Sequence, residues 1–149
     1  MSEISKFYVS WEELHKDTKL LSENIKKLGK TWKGILSITR GGLVPAGIVS
    51  SELEIKAIET ISISSYEQNS QTSLKTLKLP AADLILDGDG WLVIDDLVDT
   101  GDTAKEVKKL LPKSTIATIY AKPNGKPNTD IYAKDIEQTT WIVFPWEVE

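Results

Sequence analysis

Apolar positions in this chain fall into short runs, separated by stretches that are amphipathic at helical spacing or wholly polar. Ser10-Trp11-Glu12-Glu13 has the S-x-x-E form of a capping box, and Trp11, Leu14, Leu21, Ile25 and Leu28 then recur at helical spacing as far as Gly29, predicting an amphipathic first helix. "KGILSIT" (33–39) reads as a buried strand, "RGGLVP" as its turn and "AGIVSSEL" (46–53) as a short helix. "IKAIETISIS" (55–64) alternates like a second strand. The following "SYEQNSQTSLKTLK" (65–78) has almost no apolar anchor before Leu74 and predicts a long, exposed, mobile loop, of a length that is usually functional. "GWLVID" (90–95) is a third strand, "TAKEVKKLL" (103–111) a helix stopped by Pro112, "STIATIYA" (114–121) a fourth strand, and "TTWIVFPW" a last apolar segment. Strands alternating with helices predict one three-layer α/β domain over residues 1–149, built on a mainly parallel sheet. Ligands in such folds bind at the carboxyl ends of the strands, where "RGG" and "DDLVDTGDT" both lie.

Composition narrows the chemistry. The chain has no cysteine, so disulfides and thiol catalysis are excluded and a cytoplasmic setting is permitted. Its longest apolar runs are far too short to span a bilayer, and its acidic beginning lacks the basic and apolar regions of a secretory signal. A net charge of −4 gives no footprint for generic nucleic-acid binding. Seventeen lysines stand beside one arginine, Arg40, which suggests a site requiring the planar bidentate fork of a guanidinium, although drift in a lysine-rich composition explains it equally well. His15, the only histidine, lies among polar neighbours and reads as solvated surface.

The stretch "VIDDLVDTGDT" (93–103) concentrates the functional signal. Asp95 and Asp96 emerge at the tip of a buried strand, Leu97 and Val98 read as a loop, and Asp99 returns toward the same pocket. Thr100-Gly101-Asp102-Thr103 then offers consecutive backbone N–H groups and two hydroxyls at a helix N-terminus, an anion cradle. Acids on one side and a phosphate-sized nest on the other suit a phosphorylated sugar, with hydroxyls or a divalent cation on the carboxylates. Helix capping explains one of these acids but not three. A receiver-like phosphoacceptor pocket also uses paired acids, but the Gly-Thr run directly after them suits phosphate binding better.

This stretch resembles the phosphoribosyl-diphosphate motif of type I phosphoribosyltransferases: an apolar strand, two acids, a short spacer and D-T-G-x-T. "SITRGGLVP", "ISSYEQNSQTSLKTLK", "YAKPNGKP" and "TTWIVFPWE" follow in the order and spacing of the bacterial xanthine-guanine branch of that family, over nearly the whole chain. The resemblance implies the type I fold, with a mainly parallel sheet, a small base-binding hood and a flexible lid. It implies transfer of the 5-phosphoribosyl group from phosphoribosyl diphosphate to N9 of guanine, xanthine or hypoxanthine, with Mg²⁺ as cofactor. Under it, Arg40 and the Gly41 amide bind diphosphate, in a loop with a cis peptide at Thr39–Arg40. Asp95 and Asp96 hold the ribose hydroxyls, Asp96 meets the metal, and the run Leu97, Val98, Asp99, Thr100, Gly101, Asp102 and Thr103 wraps the 5′-phosphate. Asp99 faces purine N7 as general acid and base, Lys122 donates to O6, Trp141 stacks on the ring and the Ile142 backbone addresses C2. Trp11, Trp32, Trp91 and Trp146 keep a structural reading.

The lid would begin at Ser65 and Tyr66. Thr72 stands where close relatives carry a basic residue, with Lys75 or Lys78 as its substitute, and Asp102 replaces a glycine. Kinship implies a homotetramer in the cytoplasm and leaves open peripheral association with the inner membrane. The rival reading is a non-catalytic regulator on the same fold that senses a phosphoribosyl compound or nucleotide; Asp99, Arg40 and Lys122 together favour chemistry.

Overall fold

The computed structural model describes residues 5–68 and 71–148, with the side chains of 65–68 and 71–72 outside that description. In chain order the elements are β1 (Lys6–Tyr8), α1 (Trp11–Lys26), β2 (Gly34–Thr39), α2 (Leu43–Leu53), β3 (Ile58–Gln68), β4 (Gln71–Lys78), α3 (Ala82–Ile85), β5 (Trp91–Val98), α4 (Asp102–Leu110), β6 (Thr115–Ala121), a 3-10 turn (Lys126–Asn128), β7 (Ile131–Asp135) and β8 (Trp141–Val143). Six strands form one sheet in the order β4-β3-β2-β5-β6-β7, parallel throughout except for the antiparallel pair β3–β4. A separate pair, β1 and β8, is parallel.

Strand pleating divides the apolar residues between two faces. Ile35, Leu92, Ile94, Ala117 and Ile119 pack toward Leu14, Leu21 and Ile25 of α1 and Ala46 and Val49 of α2. Leu36, Ile38, Val93 and Ile116 pack toward Ala104 and Val107 of α4 and Ile85 of α3. Two covered faces explain why β2 and β6 read as unbroken apolar runs rather than alternating ones. The capping box is present, since the Ser10 hydroxyl accepts from the Glu13 N–H at 3.1 Å. Trp11 and Leu28 lie outside the buried stripe of α1, which is completed instead by Asp17, Thr18 and Ser22.

Four expectations are corrected. Residues 65–78 are not a loop: β3 and β4 form a hairpin paired from Ser62–Lys78 to Gln68–Gln71. Its polar side chains hide the strand from a hydrophobicity reading, while the backbone ladder needs no apolar face. Leu97 and Val98 are not a loop either, because β5 continues through both and pairs them with Tyr120 and Ala121. The second helix begins at Leu43 rather than at 46; Pro45 sits in its first turn, where its missing N–H costs nothing. The strands β1, β4 and β7 and the helix α3 had no counterpart in the sequence reading.

The chain order fixes where a ligand can sit. From β2 the chain crosses by α2 to β3 on one side, whereas from β5 it crosses by α4 to β6 on the other. The carboxyl ends of β2 and β5, adjacent in the sheet, are therefore the topological switch point, the crevice in which open α/β sheets bind ligands.

Candidate active site

The segment after β2 turns sharply. The Thr39–Arg40 peptide is cis, as the resemblance implied, and Gly41 and Gly42 lead directly into α2. A Cβ on Gly41 would overlap the carboxylate of Asp96, so only glycine lets this backbone lie against the acid. Arg40 is exposed at the same place and lines an open cleft of about 890 Å³, together with Thr39, Gly41, Asp95, Asp96, Trp141 and Trp146.

Asp95 and Asp96 are consecutive within β5, and the Asp96 N–H donates to Asp95 Oδ1 at 2.9 Å. Burial, and after it the charge of Asp96, holds the Asp95 carboxyl well above the usual carboxylate range. Burial also raises Asp96, with a smaller push from the charge of Glu147, against hydrogen bonds that favour its charged form. Two crowded acids at a strand end thus form a donor set seeking a cation or hydroxyl groups.

Beyond Val98 the chain forms a second, smaller cavity of about 120 Å³, lined by Asp95, Leu97, Val98 and the run from Asp99 to Ala104. Gly101 has φ +91°, a left-handed conformation that turns the chain into α4, and a Cβ there would collide with the Asn128 side chain. The N-terminus of α4 opens at this cavity, as an anion cradle requires. Asp102 is its first residue, exposed, with its N–H 3.4 Å from the Thr100 hydroxyl, while Thr103 lines both cavities.

Asp99, in the wall of the smaller cavity, meets Lys122. Lys122 follows β6 and is only 4% exposed, and its Nζ donates to Asp99 Oδ2 at 3.2 Å. A buried ammonium without such a partner would be costly, so the pair is held from the folding side as well as the chemical one. Gln138, from the segment between β7 and β8, donates to the other oxygen, Oδ1, at 2.7 Å.

Trp141 opens β8 with its side chain 59% exposed in the wall of the large cleft, where a flat ligand can lie against it. The Trp141 N–H donates to the Ser5 carbonyl, and the Val143 carbonyl accepts from Val9. Because strand polar groups alternate sides, those of Ile142 face the other edge of β8, away from β1. Trp146 stacks on Phe144, ring centroids 4.8 Å apart, and also lines the cleft. Trp32 is half-buried and packs against the α1–α2 core, and Trp91 is buried beneath Gly34.

Of the lid candidates with described side chains, Lys75 and Lys78, neither lines these two cavities. The side chains of Ser65, Tyr66 and Thr72 lie outside the described residues. Lys78 Nζ donates to the Thr60 carbonyl at 2.9 Å, and Lys75 lines a separate shallow groove with Ser64, Leu74 and Leu77. The sequence reading did not single out Gln138 or Glu147. Both come from the chain after β7, Glu147 within "TTWIVFPWE" and Gln138 just before it, and only the fold gives them their partners near the strand ends.

Comparison with known proteins agrees with this geometry. The phosphoribosyl transferase domain model matches residues 10–149. A xanthine-guanine phosphoribosyltransferase of Nitratidesulfovibrio vulgaris (strain DP4) is 50% identical over 144 residues, covering 96% of this chain and 85% of the relative. One of the same name from Cereibacter sphaeroides is 45% identical over 145 residues, covering 95% and 87%. Among solved structures, the Helicobacter pylori xanthine-guanine-hypoxanthine phosphoribosyltransferase superposes with a TM-score of 0.80 at 25% identity, covering 96% of this chain and 94% of that one. With its switch-point crevice, paired acids and phosphate-sized cradle, the chain belongs to the phosphoribosyltransferase family.

Proposed function

We propose that this transferase moves the 5-phosphoribosyl group from phosphoribosyl diphosphate to N9 of guanine, xanthine or hypoxanthine, forming the purine nucleotide and releasing diphosphate. The observation that carries the proposal is the Asp99–Lys122 pair, with Asp99 in the wall of the phosphate-sized cavity and Lys122 buried behind it. A sensor needs only to bind, whereas a carboxylate beside a buried ammonium at the base position is a proton acceptor beside a donor for a purine oxygen.

On this reading the purine lies on Trp141, with O6 toward Lys122 Nζ and N7 toward Asp99. The open-edge backbone groups of Ile142 address the C2 substituent, which leaves the three bases to be distinguished by main chain rather than by a side-chain pocket. N9 attacks C1′ of the sugar, the bond from C1′ to the diphosphate oxygen breaks with its electron pair on diphosphate, and the N7 proton passes to Asp99. Arg40 and the Gly41 amide take the diphosphate, Asp95 and Asp96 the ribose hydroxyls, and the start of α4 the 5′-phosphate. Fixing both partners in line supplies much of the acceleration.

Magnesium fits the donor set: two adjacent carboxylates beside an open cleft suit a cation that keeps several waters and uses few protein ligands. Asp96 would hold it, and when bound it would neutralise charge on the diphosphate. Kinship extends the proposal to a cytoplasmic homotetramer, which light scattering reads directly. Among the described residues, no helix is long and apolar enough to cross a membrane.

An absorbance assay with phosphoribosyl diphosphate, Mg²⁺ and each of guanine, xanthine, hypoxanthine and adenine tests the reading. The expected result is nucleotide formation with the three 6-oxopurines, abolished by chelation and reduced about 100-fold or more in Asp99→Asn. Binding of the phosphoribosyl compound without turnover of any base would replace the transferase with the sensor.

A further inference from the structure

Gln138 belongs to none of the motifs that point to the reaction, yet its side-chain amide is engaged at both ends. Its Oε1 accepts from the Asn124 backbone N–H at 2.8 Å, and its Nε2 donates to Asp99 Oδ1 at 2.7 Å. The first bond dictates the second. A backbone N–H can only donate, so the amide oxygen must face Asn124, and the NH₂ group is left pointing at the carboxylate. With Lys122 on Oδ2, the Asp99 carboxylate is gripped from two directions, by a cation and by a neutral donor.

We propose that Gln138 is a positioning residue for Asp99, fixing the plane of its carboxylate before the base arrives and setting the segment that carries Trp141 in register with it. The inference rests on the reading of Asp99 as the group that faces N7. Two residues separate Gln138 from Trp141, and the same segment is pinned by the Ile136 N–H on the Ala121 carbonyl at 3.0 Å and the Thr140 N–H on the Glu137 carbonyl at 3.1 Å. One side chain therefore ties the stacking platform, the segment after β6 and the proton acceptor into a single unit. The residue type follows from the two bonds. Glutamate would satisfy Asn124 but present a second anion to Asp99, and lysine would donate but not accept, so an amide of this length serves both partners.

Gln138→Glu separates positioning from simple structural support, because it keeps the acceptor for Asn124 and removes the donor to Asp99. Steady-state kinetics on Gln138→Glu, Gln138→Ala, Asp99→Asn and the unaltered protein, with circular dichroism as the check on folding, give the comparison. The expected result is a folded Gln138→Glu protein with kcat down about 10- to 100-fold at about pH 8, and KM for phosphoribosyl diphosphate changed less than about twofold. Its deficit against the unaltered protein narrows as the pH is lowered, because the adjacent Asp99 carboxylate favours the protonated form of the new carboxyl, which can then donate again. Gln138→Ala loses kcat similarly across that pH range. A folded Gln138→Glu protein with unaltered kcat, alongside an inactive Asp99→Asn, would overturn the positioning role alone. Full turnover by Asp99→Asn would overturn the reading of Asp99, and the inference with it.

Discussion

Asp102 is one of two residues, with Thr72, at which the sequence reading marks a departure from the family pattern, and its position gives it two opposed effects. As the first residue of α4 it places a negative charge at the helix N-terminus, a favourable interaction of about 0.3–1 kcal/mol. The same N-terminus is the proposed cradle for the 5′-phosphate, and two anions sharing it repel. The side chain is exposed, so the repulsion is screened and worth about 0.5–1 kcal/mol across a few ångströms of water-rich space. Asp102→Asn should therefore lower KM for phosphoribosyl diphosphate about two- to fivefold, leave kcat nearly unchanged and reduce thermal stability slightly. Initial-rate kinetics at low salt read the first effect; an unchanged KM, or one that rises, would mean that this side chain does not sense the phosphate. Arg40 is the complementary case. The one guanidinium in a lysine-rich chain lines the same cleft as the paired acids, where the diphosphate reading needs it.

At the scale of elements, what could be read from the sequence depended on how each segment is buried. β2, the apolar start of β5 and β6 are covered on both faces, so their burial appears as continuous Ile, Leu and Val runs. The acids at the end of β5 and the Arg-Gly-Gly turn after β2 were legible because charge and glycine are conspicuous at the end of an apolar run. The β3–β4 hairpin carries polar side chains and is specified by its backbone ladder, while β1 and β8, three residues each, are too short for any periodicity. Gln138 was illegible for another reason: its two partners lie 14 and 39 positions away.

Asp17 shows the same limit inside a helix. It interrupts the apolar stripe of α1, yet it is only 2% exposed, accepting from the Tyr120 hydroxyl at 2.6 Å and pairing with Lys134 at 3.0 Å. It thereby fastens α1 to both β6 and β7. Asp17→Ala leaves the Tyr120 hydroxyl buried without its acceptor, while the half-exposed Lys134 can return to water, so the cost should be about 2–3 kcal/mol. Thermal unfolding should fall by about 4–12 °C, with kcat near its original value at room temperature. A loss of activity without a loss of stability would place Asp17 in the reaction instead.

For the molecule as a whole, the acid pair couples the site to global stability. Asp95 and Asp96 sit on β5, between β2 and β6 in the middle of the sheet, so their strain is relieved only when the sheet itself opens. Both carboxyls are raised in the folded state, chiefly by burial, Asp95 strongly and with a further push from the charge of Asp96, Asp96 with a smaller one from Glu147. The folded protein therefore keeps a proton that the unfolded chain releases above about pH 4. Stability must then fall as pH climbs from about 4 through the raised value of the pair, because the unfolded state binds fewer protons there. Asp95→Asn removes that titration while keeping an oxygen for the Asp96 N–H. In protein free of substrate and metal, the variant should be more stable than the original at about pH 8, by an amount that shrinks toward about pH 4. Each kcal/mol recovered raises the melting temperature by about 2–4 °C, while turnover is largely lost. Addition of Mg²⁺ and phosphoribosyl diphosphate should reverse the order, stabilising the original protein more than the variant, since ligands stabilise in proportion to their affinity for the folded state. Urea midpoints measured across that pH range decide the matter. A stability difference independent of pH would show that the pair is ionised at no cost, and that its crowding does not weaken the sheet it terminates.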